Sequence, residues 1–244
     1  MSGAKAGHRP EMPQVRLVCD DLTYRYPGAD RDLFSRLRVR IEGPGFHALF
    51  GPSGVGKTTL ARLLAGTLTG GRGAVSTAGL ERILYTYNME RLPGWCSVGR
   101  HLDEVTPSAR SGDMAPLVDT FGIRECLGAH FSRLSLGQRN RANLVRYLLQ
   151  EFDMLIMDES LANVDERTRQ EIILKLKQMF PSKCFLYISH NVIEVARFCR
   201  QILVLRGPGK RPRLVNTRGL DCRDDAKPET ERLNRTMLEI MNVS

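Results

Sequence analysis

One stretch of the sequence constrains the fold more than any other: a glycine-rich loop between an apolar run and a helical pattern. The apolar run Phe46 to Phe50 predicts a short buried strand, and the leucines at 60, 63 and 64 predict a helix. The loop fits the pattern GxxxxGK followed by Ser or Thr, and its residues are Gly51, Pro52, Ser53, Gly54, Val55, Gly56, Lys57 and Thr58. A strand, such a loop and a helix in succession are typical of an α/β fold whose loop binds phosphate.

The loop carries the groups that bind the phosphates of a nucleoside triphosphate. Its glycines let the backbone curl so that successive N–H groups point at phosphate oxygens, and the start of the helix adds the positive end of its dipole. Lys57 supplies a mobile charge for the β- and γ-phosphates, and the Thr58 hydroxyl is a ligand for Mg²⁺. We therefore predict that Gly51 to Thr59 bind a nucleotide; the alternative interpretation is a glycine-rich turn.

A second motif joins an apolar run to two acidic residues. The run Met154 to Met157 predicts a buried strand, and Asp158 and Glu159 follow it at once. An acidic residue at the C-terminal end of a parallel strand lies where such sheets bind ligands. We predict that Asp158 holds Mg²⁺ through water beside Thr58, and that Glu159 orients or deprotonates an attacking water. The alternative interpretation of the acidic pair is a helix N-cap.

Two hydrophobic patterns, continuous and alternating, predict two kinds of strand. Continuous apolar runs at 184–188 and 202–205 indicate strands buried on both faces, and 166–180 between them has helical spacing. Residues 15–19 and 37–41 alternate instead, with one polar face, which is typical of antiparallel strands. We predict an α/β fold with a mixed or parallel sheet and an N-terminal antiparallel β subdomain.

The middle and the end of the chain show helical rather than strand patterns. Residues 89–150 lack strand signals and are predicted to form an inserted α-helical subdomain, with a polar break at 107–113. We predict one ATP-binding domain over 14–213. The tail 214–244 is predicted to end in an amphipathic helix that carries Leu233, Met237 and Ile240.

Leu134 to Arg139 read LSLGQR, which is similar to the LSGGQ signature of ATP-binding cassettes. With the two motifs above, the sequence resembles this family, the nucleotide-hydrolysing subunits of ABC transporters, from about Leu17 to Arg213. The resemblance implies a P-loop NTPase core that binds ATP. It also implies that Ser135, Gly137 and Gln138 close over the γ-phosphate held by a partner subunit. Leu136 stands where the family has a glycine, and the alternative role of this motif is a helix cap.

Four more positions resemble elements of the family. Tyr26 resembles the aromatic residue that stacks on adenine, and His190 resembles the switch histidine that contacts the γ-phosphate. Asp165 resembles the last residue of the loop that links the two sites of a dimer. Asn88 stands where the family has a glutamine that joins Mg²⁺ and the nucleophilic water to the transporter. The resemblance thus assigns catalytic roles to Glu159 and His190.

The resemblance also implies partners. The family's subunits form homodimers or heterodimers that enclose two ATP, and they act with a transmembrane permease and, in importers, a substrate-binding protein. Residues 91–98 and 206–209 look like stretches of nitrate, taurine and alkanesulfonate importers, which favours uptake of such anions. The expected location is cytoplasmic, on the inner face of the cell membrane.

Composition excludes several other classes. The 244 residues have a net charge of +9, but the basic residues are spread along the chain without interleaved aromatics, so no nucleic acid partner is expected. The six cysteines form no CxxC pair and none lies beside a histidine at metal-ligand spacing, so they are interpreted as reduced thiols. No apolar run reaches the ~18 residues of a membrane span. Residues 1–13 lack the apolar segment of a secretory signal.

Three alternatives remain open. The first is a soluble, non-transport member of the same superfamily. The second is a P-loop kinase or small NTPase, which would have no use for the motif at Ser135. The third is a degenerate cassette that binds ATP with little turnover, because Asn88, Leu136 and Ala162 depart from the family pattern.

Overall fold

A computed structural model describes residues 16–226 and 228–244 of the chain. The prediction about a signal at 1–13 and the assignment of Val15 to a strand lie outside these residues. The described chain forms two sheets and a set of helices. The strands are β1 Arg16–Tyr24, β2 Phe34–Glu42, β3 Gly45–Phe50, β4 Arg72–Ala78, β5 Ile83–Tyr87, β6 Met154–Asp158, β7 Cys184–Ile188, β8 Gln201–Leu205 and β9 Leu214–Arg218. The α-helices are α1 Lys57–Leu64, α2 Val98–Val105, α3 Met114–Thr120, α4 Leu136–Leu148, α5 Glu166–Met179, α6 Val192–Phe198 and α7 Thr230–Val243.

The larger sheet has the strand order β5-β6-β7-β3-β8-β9. All its pairs are parallel except β8 with β9, which is antiparallel. The strands β6 and β7 are buried at every position, as their continuous apolar runs predict. Sequence patterning missed β5 and β9, because both lie at the edges of the sheet and mix polar with apolar residues.

The smaller sheet is antiparallel, in the order β2-β1-β4. In β2 the apolar residues Leu37, Val39 and Ile41 are buried and the arginines between them are exposed, as the alternation predicts. Strand β4 was also missed. It is exposed along its whole length and therefore carries no hydrophobic pattern. The predicted α/β fold class, with a mixed sheet and an antiparallel subdomain, is confirmed.

The large sheet separates two apolar clusters, and the side chains of β6 alternate between them. Leu155 and Met157 join the cluster that contains α3 to α6, whereas Met154 and Ile156 face α1 and the small sheet. This alternation follows from the pleat of the strand, in which successive side chains point to opposite faces. Both faces are thereby covered, so the ends of the parallel strands are where ligands can reach the sheet.

The middle of the chain is helical, as predicted, and packs on the first of these clusters. Helices α2, α3 and α4 contribute buried residues such as Leu102, Leu117 and Leu144. The α-helices are interrupted at the expected polar break at 107–113, between α2 and α3, and Ser108–Asp113 within it forms a 3-10 helix with no buried residue. Helix α7 packs Leu233, Met237 and Ile240 on the same cluster, whereas the domain boundaries at 14–213 and 214–244 stay a prediction. No helix within the described ranges is both long and apolar enough to cross a membrane.

Candidate functional site

A cleft of about 360 Å³ opens beside the loop that follows β3. Four separate segments of the chain contribute to its walls: the turn after β1, the loop with the start of α1, the end of β6 and the end of β7. Its lining residues are Tyr26, Leu33, Ser53, Gly54, Gly56, Lys57, Thr58, Thr59, Glu159 and His190. The fold therefore brings residues of the glycine-rich loop and of the acidic pair together with Tyr26 and His190.

The glycine-rich loop is packed so closely that its first residue has no room for a side chain. Gly51 has a φ of 149°, and a Cβ there would lie 2.2 Å from the carbonyl oxygen of Leu205. Farther along the loop, the Val55 carbonyl oxygen accepts a hydrogen bond of 3.2 Å from the Arg213 guanidinium. Sequence reasoning missed Arg213, because nothing local to a basic hairpin points to a loop 158 residues earlier.

Lys57 is nearly buried and is held against its own loop. Its ammonium group donates hydrogen bonds to the carbonyl oxygens of Gly51 at 2.8 Å and Pro52 at 2.9 Å. Burial lowers the pKa of Lys57, and the charges of Glu159 and Asp158 oppose that shift. The two carbonyl contacts hold the charge at the loop, where phosphate oxygens could replace them as partners.

Asp158 is buried at the end of β6 and is held by a tyrosine. The Tyr85 hydroxyl on β5 donates to its Oδ2 at 2.9 Å. Burial, and then the charge of Asp158, raise the pKa of Tyr85, so the phenol stays a donor. Tyr85 and Thr58 line a common cavity of about 460 Å³. Tyr85 thus contacts Asp158 and also lines a cavity with Thr58. Carboxylate and hydroxyl oxygens are ligands that suit Mg²⁺, and the joint binding of Mg²⁺ by Asp158 and Thr58 stays a prediction.

Glu159 and His190 form a hydrogen-bonded pair at the mouth of the cleft, between Oε1 and Nε2. Glu159 has a φ of 52°, a region that residues other than glycine seldom adopt. Its backbone N–H donates to the carbonyl oxygen of Ile188 on the neighbouring strand. This backbone turn aims the carboxylate at the cleft rather than along the strand.

A buried acid supports the segment that carries His190. Glu194, at the start of α6, accepts hydrogen bonds from the hydroxyls of Tyr187 at 3.0 Å and Ser189 at 3.2 Å. It also pairs with Arg169 of α5. The network holds the residues on both sides of His190 in place. Sequence reasoning missed Glu194, which has the appearance of an ordinary polar helix residue.

Tyr26 lies at the rim of the cleft and is 45% exposed. Its hydroxyl is hydrogen-bonded to Thr59 at 2.6 Å, and its ring packs edge-on against Tyr24 with centroids 5.1 Å apart. The ring is thus positioned by contacts at both ends and has a face near the loop. Its stacking on adenine stays a prediction.

Asn88 takes part in a different junction. Its side-chain oxygen accepts from the amides of Asn140 at 2.8 Å and Asn163 at 3.2 Å. It thereby connects the end of β5 to α4 and to the loop after β6. Its predicted role as a ligand of Mg²⁺ stays a prediction, and in this structure two amide donors share that oxygen.

The signature residues form a second region, at the start of α4. Ser135 caps the helix: its hydroxyl accepts from the Gln138 N–H at 3.3 Å, and the Gln138 side chain accepts from the Ser135 N–H at 2.9 Å. A Cβ on Gly137 would lie 2.7 Å from the carbonyl oxygen of Asn163. Within the described chain, the lining of the cleft includes none of Ser135, Gly137 and Gln138.

Asp165 likewise caps a helix. Its carboxylate accepts from the Thr168 N–H at 2.9 Å, and that hydrogen bond lowers the pKa of Asp165. The cap fixes the start of α5, directly after the loop that contacts Asn88 and Gly137. Its role in linking two nucleotide sites stays a prediction.

A comparison with known families decides the family. The model of the family described as "ABC transporter" matches residues 34–162, which include the loop, the signature and the acidic pair. The chain belongs to the ABC transporter family. This finding confirms the resemblance to ATP-binding cassettes, whereas the subgroup of nitrate and sulfonate importers stays a prediction.

Two relatives and one solved structure are similar to this ABC chain. The molybdenum import ATP-binding protein ModC of Mesorhizobium japonicum is 32% identical over 80% of the chain, which spans 59% of that protein. The thiamine import ATP-binding protein ThiQ of Photorhabdus laumondii is 30% identical over 82% of the chain, which spans 92% of it. A bacterial Atm1-family ABC exporter with ATP bound has a TM-score of 0.74 and 19% identity, covering 97% of the chain and 44% of the exporter. The last likeness concerns the fold alone.

Proposed function

We propose that this chain is the subunit of an ABC importer that binds and hydrolyses ATP with Mg²⁺, turning ATP and water into ADP and phosphate. The observation that carries the proposal is the cleft in which Lys57, Thr58, Glu159 and His190 meet beside the buried Asp158. An ammonium, an oxygen donor set and an acid–histidine pair around one phosphate-binding loop are what phosphoryl transfer to water requires.

Binding begins at the loop. The backbone N–H groups of Gly51 to Thr58 surround the phosphates, and Lys57 exchanges its two carbonyl partners for β- and γ-phosphate oxygens. Thr58 and Asp158 hold Mg²⁺, which neutralises charge on the phosphates when it is bound. Tyr26 stacks on the adenine from the rim of the cleft.

Hydrolysis needs a positioned water. Glu159 orients a water and accepts its proton as the oxygen approaches the γ-phosphorus, and the bond from that phosphorus to the ADP oxygen breaks. His190 keeps the Glu159 carboxylate in place and reaches the γ-phosphate. In such a reaction, positioning and charge neutralisation supply most of the rate enhancement.

The second region completes the site of another molecule. Ser135, Gly137 and Gln138 present a hydroxyl and helix N–H groups to the γ-phosphate held by a second copy or a homologue. A membrane permease meets the insert near residues 88–104, where Arg91 and Arg100 are available, and a substrate-binding protein delivers the cargo. The subunit accordingly works on the cytoplasmic face of the membrane.

The proposed permease and substrate-binding protein, rather than this chain, would select the transported molecule. The two relatives described above are named for molybdenum and for thiamine import, and these names lend no support to nitrate, taurine or sulfonate. We propose import of a small molecule as the function, and binding of candidate small molecules by the cognate substrate-binding protein would identify it.

A subunit-mixing experiment tests the proposal. We expect Lys57→Ala and Ser135→Arg each to abolish steady-state ATPase activity, because each breaks both composite sites of a dimer. Mixing the two variants restores one intact site in each mixed dimer, so about a quarter of the parent activity returns. Full activity of Ser135→Arg alone would favour a P-loop kinase or small NTPase. A parent chain that binds ATP without turnover would favour the degenerate cassette.

A further inference from the structure

Three side chains with metal-binding atoms meet on the helical insert. The thiol sulfur of Cys96, a ring nitrogen of His101 and a carboxylate oxygen of Glu104 all lie within 4.8 Å of one another. None of the three lines the nucleotide cleft. This group therefore calls for an explanation separate from ATP binding.

The backbone around α2 fixes the arrangement. Ser97 caps the helix by accepting from the Arg100 N–H, so Cys96 is placed immediately before its first turn. His101 and Glu104 are three residues apart on the helix and therefore share a face. The capping segment is itself anchored, because Ser97 pairs with His130 in an antiparallel bridge. No cysteine at metal-ligand spacing was predicted from the sequence, because a cysteine and a histidine on opposite sides of a helix cap match no linear pattern.

The chemical state of each group suits a metal ion. Cys96 is buried, and the Nε2 atom of His101 is buried without a hydrogen-bond partner in the described part of the chain. A buried imidazole nitrogen without another partner is available to bind a metal ion. Glu104 is half exposed and pairs with Arg100 on the surface, and such an exposed pair is weak enough to release the carboxylate.

We propose that Cys96, His101 and Glu104 bind a divalent transition metal ion of the zinc type, with three protein ligands and one open coordination position. Thiolate, imidazole and carboxylate together suit such an ion, whereas Mg²⁺ and Ca²⁺ take oxygen ligands alone. Neighbouring ligand atoms of a tetrahedral zinc ion are about 3.5 Å apart. Rotation of the exposed Glu104 side chain closes the remaining gap.

The bound ion links the segment before α2 to the helix itself. That segment includes Trp95, which is 82% exposed. The link therefore fixes the position of a large apolar side chain on the surface of the insert. This proposal does not rest on the proposed ATPase function.

Cobalt is the probe that tests the site. We expect the full chain, reduced and free of oxygen, to bind one Co²⁺ and to develop the near-ultraviolet thiolate band and the visible bands of a tetrahedral complex. Cys96→Ser removes the thiolate band. Cys222→Ser, the matched control at the half-buried cysteine of the tail, keeps it. Retention of the band in Cys96→Ser overturns the proposal, as does its loss in Cys222→Ser.

A second variant avoids the question of folding. Glu104→Gln changes a half-exposed side chain, so thermal unfolding without metal is unchanged while the affinity for Co²⁺ falls about tenfold or more. Zn²⁺ displaces Co²⁺ from the parent and raises its melting temperature more than that of Glu104→Gln. Equal affinities of parent and variant overturn the proposal. The bands persist in Lys57→Ala, so failure of this site and failure of the nucleotide site are distinguishable.

Discussion

The nucleotide cleft and the start of α4 both carry residues for which we propose contacts with phosphate, but the two regions are built differently. In the cleft, four segments of the chain meet, and Lys57, Glu159 and His190 line a common space. At the start of α4, Ser135 and Gln138 hydrogen-bond each other across a single helical turn. The first region depends on segments that are far apart in the chain, whereas the capping hydrogen bonds of the second lie within one helix. Under the proposed function, one chain therefore binds its own ATP in the cleft and contributes the start of α4 to the ATP site of a second molecule.

Removal of the Lys57 charge from the cleft is expected to have the largest effect on activity and tests the role of the first region. We expect Lys57→Ala to lower the catalytic rate by about a thousandfold, because a preorganised charge on the phosphates is lost, and to weaken ATP binding in calorimetry with Mg²⁺. The control is Lys183→Ala, which loses a pairing with Asp153 outside the cleft. Parent-like binding by Lys57→Ala would contradict the assignment of the loop.

The acid–histidine pair separates binding from turnover. We expect Glu159→Gln to bind ATP with parent affinity and to hydrolyse it at least about a hundredfold more slowly, because the amide cannot accept the proton of water. Gel filtration with ATP should then show a persistent dimer. Glu166→Gln, an acid at the start of α5, is the control. Hydrolysis by Glu159→Gln at the parent rate would refute the role of Glu159.

A pH series sharpens the comparison, because the strand behind the loop carries a buried histidine and α4 carries none. Burial lowers the pKa of His47 on β3 to about 4. The unfolded chain binds this proton from about pH 6.5 downward. Neutral His47 therefore contributes fully to the free energy of unfolding above about pH 6.5, and this contribution is lost as the pH falls towards 4. The free energy of unfolding decreases by about 2 kcal/mol from this cause between pH 7 and 4.5.

Urea unfolding of the parent and of His47→Gln at both pH values measures that contribution. The variant should lose less stability on acidification than the parent. An identical loss in the two chains would mean that His47 is not the titrating group.

The smallest expected effect concerns the packing of the cap. A Cβ on Gly137 would lie 2.7 Å from the carbonyl oxygen of Asn163, so Gly137→Ala should destabilise the fold by about 2 kcal/mol. Gly128→Ala is the matched control, because a Cβ there meets nothing within 4 Å. Equal melting temperatures for the two variants would show that the start of α4 can shift away from the loop after β6 without loss of stability.

The sequence predicted the parts of the molecule that depend on local pattern. The strands β6 and β7 follow from continuous apolar runs, and α5 follows from helical spacing. The loop at Lys57 follows from its glycines, because such a backbone is accessible to few other residues. Long apolar runs and glycine-dependent backbone conformations are encoded within a few neighbouring residues, so they can be detected in a single sequence.

The parts that were missed depend on partners far away in the chain. Strand β4 is fully exposed, and it is a strand because β1 pairs with it rather than because of its own residues. Tyr85 matters through Asp158, and Arg213 matters through Val55. No local pattern distinguishes such residues from ordinary surface or edge positions, since their roles arise only when the sheet is assembled.

The order of the large sheet has a consequence for synthesis. Strand β3, which carries the loop, is hydrogen-bonded on one side to β7 and on the other to β8. Both neighbours lie beyond residue 162, where the family match ends. A polypeptide emerging from the ribosome therefore lacks both neighbours of β3 until residue 188 has been added, and it lacks the second neighbour until residue 205. A fragment cut at residue 162 would leave β3 unpaired on both edges.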